Sequence, residues 1–104
     1  MITALVLFKL PERMTVEQAR AVFASTAPRY LAMQGLVRKH YILSEDGLTA
    51  GGVYLWQTRA DAERVYDAAW REFIRGKYHT DPVVTYFDTP VMVDNVAGQV
   101  VESA

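Results

Sequence analysis

Residues 50–63 run from an apolar, aromatic strand directly into a capped helix, and this junction constrains the fold more than any other feature. Tyr54 and Trp56 fall on one face of the strand, because side chains in a strand alternate with a period of two. Thr58 is placed to cap the helix that follows, and Asp61, three residues later, completes the pattern of a capping box. The segment therefore predicts a helix folded back over a sheet, with an aromatic face suited to line a pocket.

The rest of the chain repeats this alternation, in the order β-α-β-β-α-β. Strands are predicted at residues 2–10, 36–43, 50–57 and 83–88, and helices at residues 15–35, with a kink or restart at Pro28, and at about 59–75. Two right-handed β-α-β crossovers folded together give an α+β, ferredoxin-like antiparallel sheet with both helices on one face. A chain of 104 residues suffices for one such domain, and residues 90–104 are predicted to form a tail.

The predicted strands carry large apolar side chains on both faces, although two helices cover only one face of such a sheet. In the first strand, Val6 and Phe8 have one parity, and Leu5 and Leu7 have the other. Burying each large side chain stabilises the protein by roughly 1.5–3 kcal/mol, so the second face must be covered. A second copy placed sheet to sheet does so by symmetry, which predicts a homodimer. The alternative is a tail or partner domain that folds over the sheet.

An apolar patch in the tail, at residues 91–93, has no obvious place in a four-stranded monomer. We therefore expect this patch to contact the partner subunit and to add to the dimer.

Composition argues against several classes of protein. The formal net charge of −1 is not that of an electrostatic nucleic-acid binder. The absence of cysteine excludes disulfides, thiolate metal sites and a thiol nucleophile. No apolar run approaches the roughly eighteen residues of a membrane span, and the apolar start lacks the basic leader of a signal peptide. We expect a soluble, cytoplasmic protein that binds neither nucleic acid nor membranes.

Aromatic residues that carry a polar group are the candidate binding residues, because Trp and Tyr need a hydrogen-bond partner when they are buried. Several such residues converging on one interior indicate a pocket for a flat, mostly apolar small molecule with one or two polar handles. The candidate substrate-binding residues are Trp56, Tyr54, Tyr66, Trp70 and Tyr86. The alternative is that they are ordinary core residues, and parity alone does not decide which face of the sheet Trp56 occupies.

The two histidines are the candidate catalytic bases, because their pKa values lie near neutral pH. His40 lies in the second strand and His79 in the loop before the fourth; the alternatives are a solvent-facing strand residue and an ordinary loop residue. Two histidines without a third ligand at a characteristic spacing do not make a metal site. No glycine-rich phosphate loop opens a helix. We therefore expect no metal and no flavin, haem or nicotinamide cofactor.

The strand, Trp, polar residue, Thr and Ala/Glu-rich helix of residues 51–63 resemble the antibiotic-biosynthesis-monooxygenase superfamily of small dimeric α/β barrels. The same glycine-containing strand together with residues 86–88 looks closer to the YdhR-like monooxygenase-type proteins of that superfamily. The resemblance covers roughly residues 1–95 and implies the fold, the dimer and a pocket that includes Trp56. Quinone-forming members have an Asn where this chain has Gly52, and haem-degrading members have a His near the place of Tyr66.

The resemblance implies a small, cofactor-independent monooxygenase acting on an aromatic or polyketide-like compound. Such an enzyme removes a proton from its substrate, and the resulting anion reacts with dioxygen. Two alternatives use the same pocket. One is a cyclase or isomerase that acts by proton transfer alone, and the other is a non-enzymatic small-molecule-binding barrel protein.

Overall fold

The computed structural model describes residues 1–103, which form a four-stranded sheet, three α-helices and a C-terminal hairpin. The strands are β1 (Ile2–Lys9), β2 (Leu36–Leu43), β3 (Thr49–Trp56), β4 (Val83–Asp88), β5 (Val91–Asp94) and β6 (Gln99–Glu102). The helices are α1 (Val16–Thr26), α2 (Arg59–Val65) and α3 (Ala68–Tyr78), and a 3₁₀ turn (Ala27–Arg29) follows α1. None of the helices within residues 1–103 is long and apolar enough to cross a membrane.

The main sheet has the strand order β2-β3-β1-β4, and all its neighbouring strands are antiparallel. This arrangement confirms the predicted α+β, ferredoxin-like fold. The buried face of the sheet carries Val6 and Phe8 from β1 and Tyr54 and Trp56 from β3, all packed in one core with side chains from the helices. The sequence alone did not show which face of the sheet Trp56 occupies. In the structure Trp56 lies on the face that packs against the helices.

Local signals set the start and the end of α1. The backbone N–H of Gln18 donates to Thr15 Oγ1 at 3.1 Å, and the backbone N–H of Thr15 donates to Gln18 Oε1 at 2.9 Å. These two bonds are the predicted capping box. The helix gives way at Ala27 to the 3₁₀ turn that contains Pro28, because proline cannot supply the next helical N–H. The predicted interruption at Pro28 is therefore confirmed, whereas the predicted helix over residues 30–35 is wrong, because turns follow Arg29.

The predicted single helix over residues 59–75 is wrong, because the chain breaks into α2 and α3 at Tyr66. The Asp67 carboxylate accepts the backbone N–H of Trp70 at 2.8 Å and caps α3. Gly76 does not end the helix, which continues to Tyr78 and stops where His79 adopts φ 60°. The break turns the Tyr66 side chain into the core.

The face of the sheet away from the helices is apolar and incompletely covered. Leu5, Leu7 and Val53 on this outer face are half-buried, whereas Val83 and Phe87 of β4 are 65% and 51% exposed. The two-sided pattern in the sequence therefore corresponds to a real apolar surface on the chain.

The tail folds as a β5–β6 hairpin that pairs only with itself among the described residues. The backbone N–H of Ser103 donates to the carbonyl oxygen of Pro90 at 2.9 Å, and the amino terminus donates to Ser103 Oγ at 3.0 Å. Val91 and Val93 are 55% and 66% exposed. The apolar patch predicted at residues 91–93 thus lies on one arm of an exposed hairpin.

Candidate functional site

The structure brings the five predicted binding residues into one aromatic cluster. The rings of Tyr54 and Trp56 stack with centroids 6.0 Å apart, and Tyr66 meets both edge-on, at 5.4 and 5.7 Å. Tyr66 also contacts Trp70 at 4.6 Å and Tyr86 at 6.3 Å. Tyr66 occupies this central position because the break between α2 and α3 directs its side chain inward.

The polar tips of the cluster are paired within the protein. Trp56 Nε1 donates to Tyr66 Oη at 3.0 Å, and Trp70 Nε1 donates to Tyr30 Oη, also at 3.0 Å. Burial raises the pKa of both Tyr54 and Tyr66, so their hydroxyl groups stay protonated at neutral pH. The two indole N–H groups hold the rings in place and are not free for a ligand.

A small cavity lies between the sheet and the helices, next to this cluster. Its lining contains Tyr54 but not Trp56, Tyr66, Trp70 or Tyr86, which form a layer behind it. The lining residues are Val6, Phe8, Phe23, Thr26, Tyr30, Lys39, Tyr41, Gly51, Gly52, Tyr54, Phe73, Ile74 and Tyr78. The free space is about 10 Å³, close to what a single water molecule needs.

Lys39 fills most of this interior, and sequence reasoning missed it. Its ammonium nitrogen lies 3.4 Å from the ring centroid of Tyr30, 3.7 Å from that of Tyr41 and 4.6 Å from that of Tyr54. Stacking a cation on ring faces is favourable, so the three rings form an aromatic cage around the amine. Gly52 makes room for it, since a Cβ there would lie 3.2 Å from Lys39 Cε.

The Lys39 ammonium loses its proton more readily than an exposed lysine does. Burial and then the nearby Arg29 guanidinium lower the pKa of Lys39 to about 7. Within residues 1–103 no carboxylate forms an ion pair with it. At neutral pH the amine therefore exists in both protonation states, as a general base requires. The sequence does contain one indication of this position. Lys39 lies two residues before Tyr41 in β2, so the two side chains share one face of the sheet.

Neither predicted base lies in this interior. His40 pairs with Val53, is exposed and lies on the outer face of the sheet, because it alternates with Lys39 along β2. His79 is exposed at the left-handed end of α3 and does not line the cavity. Neither histidine lines the cavity, and the titratable amine that faces the aromatic residues is Lys39.

A surface groove of about 280 Å³ lies on the other side of Lys39, along the edge strand β2. This β2-edge groove is lined by Ala27, Tyr30, Leu31, Ala32, Leu36, Val37, Arg38, Lys39 and Tyr41. Tyr30, Lys39 and Tyr41 border both the groove and the cavity, so these three side chains form the wall between them. Leu31, which is 83% exposed, gives the groove an apolar side.

The described residues contain no group of three or more His, Cys, Asp or Glu side chains that could hold a metal ion. Two cations near the cavity, the half-buried Lys39 and the exposed Arg29, favour an anionic group instead.

Comparison with known structures agrees with this architecture. SnoaB, a cofactor-independent oxygenase from Streptomyces nogalater, superimposes with a TM-score of 0.62 at 15% identity, over 85% of this chain and 91% of that one. A single-residue variant of SnoaB gives 0.61. A protein from Deinococcus radiodurans, provisionally assigned as an antibiotic biosynthesis monooxygenase, gives 0.64 at 11% identity over 90% and 97% of the two chains.

The chain has the fold of the antibiotic biosynthesis monooxygenases. The resemblance expected from residues 51–63 is confirmed at this level. No protein-family model and no curated protein sequence matches the chain.

Proposed function

We propose that this protein is a small, cofactor-independent monooxygenase that acts on an aromatic or polyketide-like small molecule. The observation that carries the proposal is an aromatic interior next to a titratable amine, in a fold shared with SnoaB, a cofactor-independent oxygenase. The aromatic residues suit a flat, apolar substrate, and Lys39 supplies a polar group for one acidic handle.

The chemistry needs little from the protein beyond proton transfer and a dry site. Removal of a proton from an activated methylene leaves an electron-rich enolate, which passes electrons to dioxygen. One oxygen atom enters the product as a carbonyl group, and the other leaves as water with the two hydrogens of the methylene. The substrate itself supplies the electrons, so the reaction balances without flavin, haem or metal.

The five predicted binding residues contribute in two layers. Tyr54 faces the cavity, whereas Trp56 and Tyr66 stand behind it and fix its ring. We propose that Trp56, Tyr66, Trp70 and Tyr86 shape the site by holding Tyr54 and by excluding water. Exclusion of water strengthens the interactions that stabilise a developing anion.

Oxygen consumption is the test of this proposal. Purified protein with no added cofactor is incubated with anthrone, a flat ketone whose methylene is acidic, in a sealed oxygen electrode. We expect uptake of about one dioxygen per ketone consumed, as the balance above requires. Conversion of the ketone without oxygen uptake would indicate the cyclase or isomerase alternative, and binding without conversion would indicate a non-enzymatic carrier.

We also propose that two copies pack sheet to sheet through the outer face of the β2-β3-β1-β4 sheet. The support is the half-buried Leu5, Leu7 and Val53 and the exposed Val83 and Phe87, which a second copy would bury. The β5–β6 hairpin lies at the edge of this arrangement with Val91 and Val93 exposed, suited to contact the other subunit.

A further inference from the structure

Lys39 lies where a ligand from the β2-edge groove would meet the aromatic interior. Its side chain, with Tyr30 and Tyr41, separates the groove from the cavity. The groove is of the size of a small ligand pocket, whereas the cavity has room for about one water molecule. A ligand that displaces the amine from its cage therefore joins the two spaces.

The charges around this amine favour an anion. Arg29, whose guanidinium lies 4.2 Å from the ring centroid of Phe73, adds a second positive charge from the 3₁₀ turn. The other titratable groups facing the amine are tyrosines: Tyr30 from the segment after α1, Tyr41 from β2, Tyr54 from β3 and Tyr78 from α3.

The tyrosines stay neutral in this environment. Burial raises the pKa of Tyr41 and Tyr54 and raises that of Tyr78 to about 12. No carboxylate within the described residues pairs with Lys39. An incoming anion therefore meets two cations, neutral hydroxyl groups and the faces of aromatic rings.

We propose that Lys39 is the acid–base and anion-binding residue of the site, and that the substrate is an aromatic phenol or enol bound as its anion between the β2-edge groove and Tyr54. The aromatic cage selects a flat ring, and the amine selects an acidic O–H on it. This proposal deepens the proposed function and rests on it for the later step with dioxygen.

The step at Lys39 is a proton transfer. The O–H bond of the phenol or enol breaks, its electron pair stays on oxygen, and the proton forms a new N–H bond on the neutral amine. The product is an ammonium–oxyanion pair, which is stronger than a neutral hydrogen bond. No atom is oxidised or reduced, so this step takes place with or without dioxygen.

Binding of 4-nitrophenol, whose anion is yellow and whose neutral acid is not, tests the proposal. With wild-type protein near pH 6.5, we expect bound probe to be more ionised than free probe. Lys39→Met should weaken binding about tenfold or more, as for a lost charged hydrogen bond. Any probe still bound to that variant should be neutral. Lys39→Arg, which keeps the charge, should retain the yellow form.

Two controls make the test specific. Arg20→Met removes an exposed cation from α1 that lines neither the cavity nor the groove, and should leave both affinity and spectrum unchanged. 4-Nitroanisole, which has no acidic hydrogen, should bind wild type about tenfold or more weakly than 4-nitrophenol. Unfolding midpoints show that each variant is folded.

The proposal is overturned if wild type binds no 4-nitrophenol, if its bound probe is neutral, or if Lys39→Met binds the anion as well as wild type does. Oxygen uptake separates this inference from the proposed function. Anion binding at Lys39 without oxygen uptake from anthrone removes the monooxygenase assignment and keeps the site. Oxygen uptake that persists in Lys39→Met removes Lys39 as the base and keeps the monooxygenase.

Discussion

At the scale of single residues, the interior is organised by polar tips on aromatic rings. The Trp56–Tyr66 and Trp70–Tyr30 bonds each pair an indole N–H with a phenol oxygen in buried surroundings. A buried polar group that loses its partner costs about 1–3 kcal/mol, which exceeds the net gain of a typical bond. These pairs therefore fix which ring packs against which and keep the wall behind Tyr54 rigid.

A double-mutant cycle measures this pairing. Trp56→Phe and Tyr66→Phe should each lower the free energy of unfolding by about 1–3 kcal/mol, because each leaves its partner unpaired. The double variant leaves neither group unpaired, so its loss should fall short of the sum by about 0.5 kcal/mol or more in urea denaturation. Trp56→Phe with Tyr30→Phe, whose hydroxyl bonds Trp70 instead, should come closer to additivity. An additive Trp56–Tyr66 pair would contradict the arrangement.

The lowered pKa of Lys39 makes stability depend on pH. Between the folded pKa of about 7 and the unfolded value of about 10.4, the unfolded chain binds a proton that the folded chain has released. Stability therefore rises with pH in this window, by up to about 1.4 kcal/mol per pH unit. Below pH 7 both states are protonated, and the cost of burying the charge is constant.

Urea unfolding of wild type and Lys39→Met at pH 6, 7, 8 and 9 checks this sign. The difference between the two should be flat below pH 7 and should shift in favour of wild type from pH 7 to 9. The window stops at pH 9 because the raised pKa values of Tyr54, Tyr66 and Tyr78 oppose the trend at higher pH. Parallel curves for the two proteins would show that Lys39 titrates normally.

At the scale of elements, β3 builds the site because its two adjacent glycines serve opposite faces. A Cβ at Gly51 would collide with the carbonyl oxygen of Val6, so this position allows β1 to approach closely. A Cβ at Gly52 would lie 2.9 Å from Cε1 of Tyr54, on the side of the cavity. The protein itself therefore fills the space beside both glycines.

Alanine at Gly52 and at Gly76 should have opposite effects. Gly52→Ala forces the ring of Tyr54 to move against Trp56, and overpacking of this kind costs about 1–3 kcal/mol. An added Cβ at Gly76 meets nothing within 4 Å in the last turn of α3, so Gly76→Ala should stabilise the helix by about 0.5–1 kcal/mol. Thermal or urea unfolding of the two variants gives the comparison. Equal effects would mean that the space beside Gly52 is not filled as described.

The elements with strong local signals were predictable from sequence, and the site was not. The capping residues Thr15 and Thr58 and the alternation of β3 placed the strands and helix starts. The break at Tyr66 was missed because Asp67 can either pair along a helix or cap a new one, and tertiary packing chose the cap. Lys39 was missed because the rings around it, those of Tyr30, Tyr41 and Tyr54, come from three separate segments. No local sequence pattern shows that these segments come together.

At the scale of the whole molecule, the helix-covered face holds the candidate site and the opposite face is left for association. The outer face is apolar at the centre of the sheet, and the β5–β6 hairpin carries further exposed valines. Exposed apolar surface of this kind marks interaction sites. Sheet-to-sheet pairing would leave the β2-edge groove on the helix side of each subunit.

Light scattering should therefore give twice the 11.7 kDa mass of the chain at micromolar concentration. Val53→Lys places a charge at the centre of the outer face and should yield monomers, whereas Val16→Lys, at an exposed valine of α1, should not. Truncation after Thr89 removes the hairpin and should weaken the dimer. A monomeric wild type, or a dimer indifferent to Val53→Lys, would contradict this association.

Mass spectrometry of the product formed under ¹⁸O₂ tests the central claim most directly. With anthrone as substrate and no added cofactor, we expect one ¹⁸O atom in the new carbonyl group of the product. The label should not come from H₂¹⁸O in the reciprocal experiment with ordinary dioxygen, once exchange of the product with water has been measured separately. A product whose oxygen comes only from water, or one that gains no oxygen at all, would contradict the assignment of this protein as a monooxygenase.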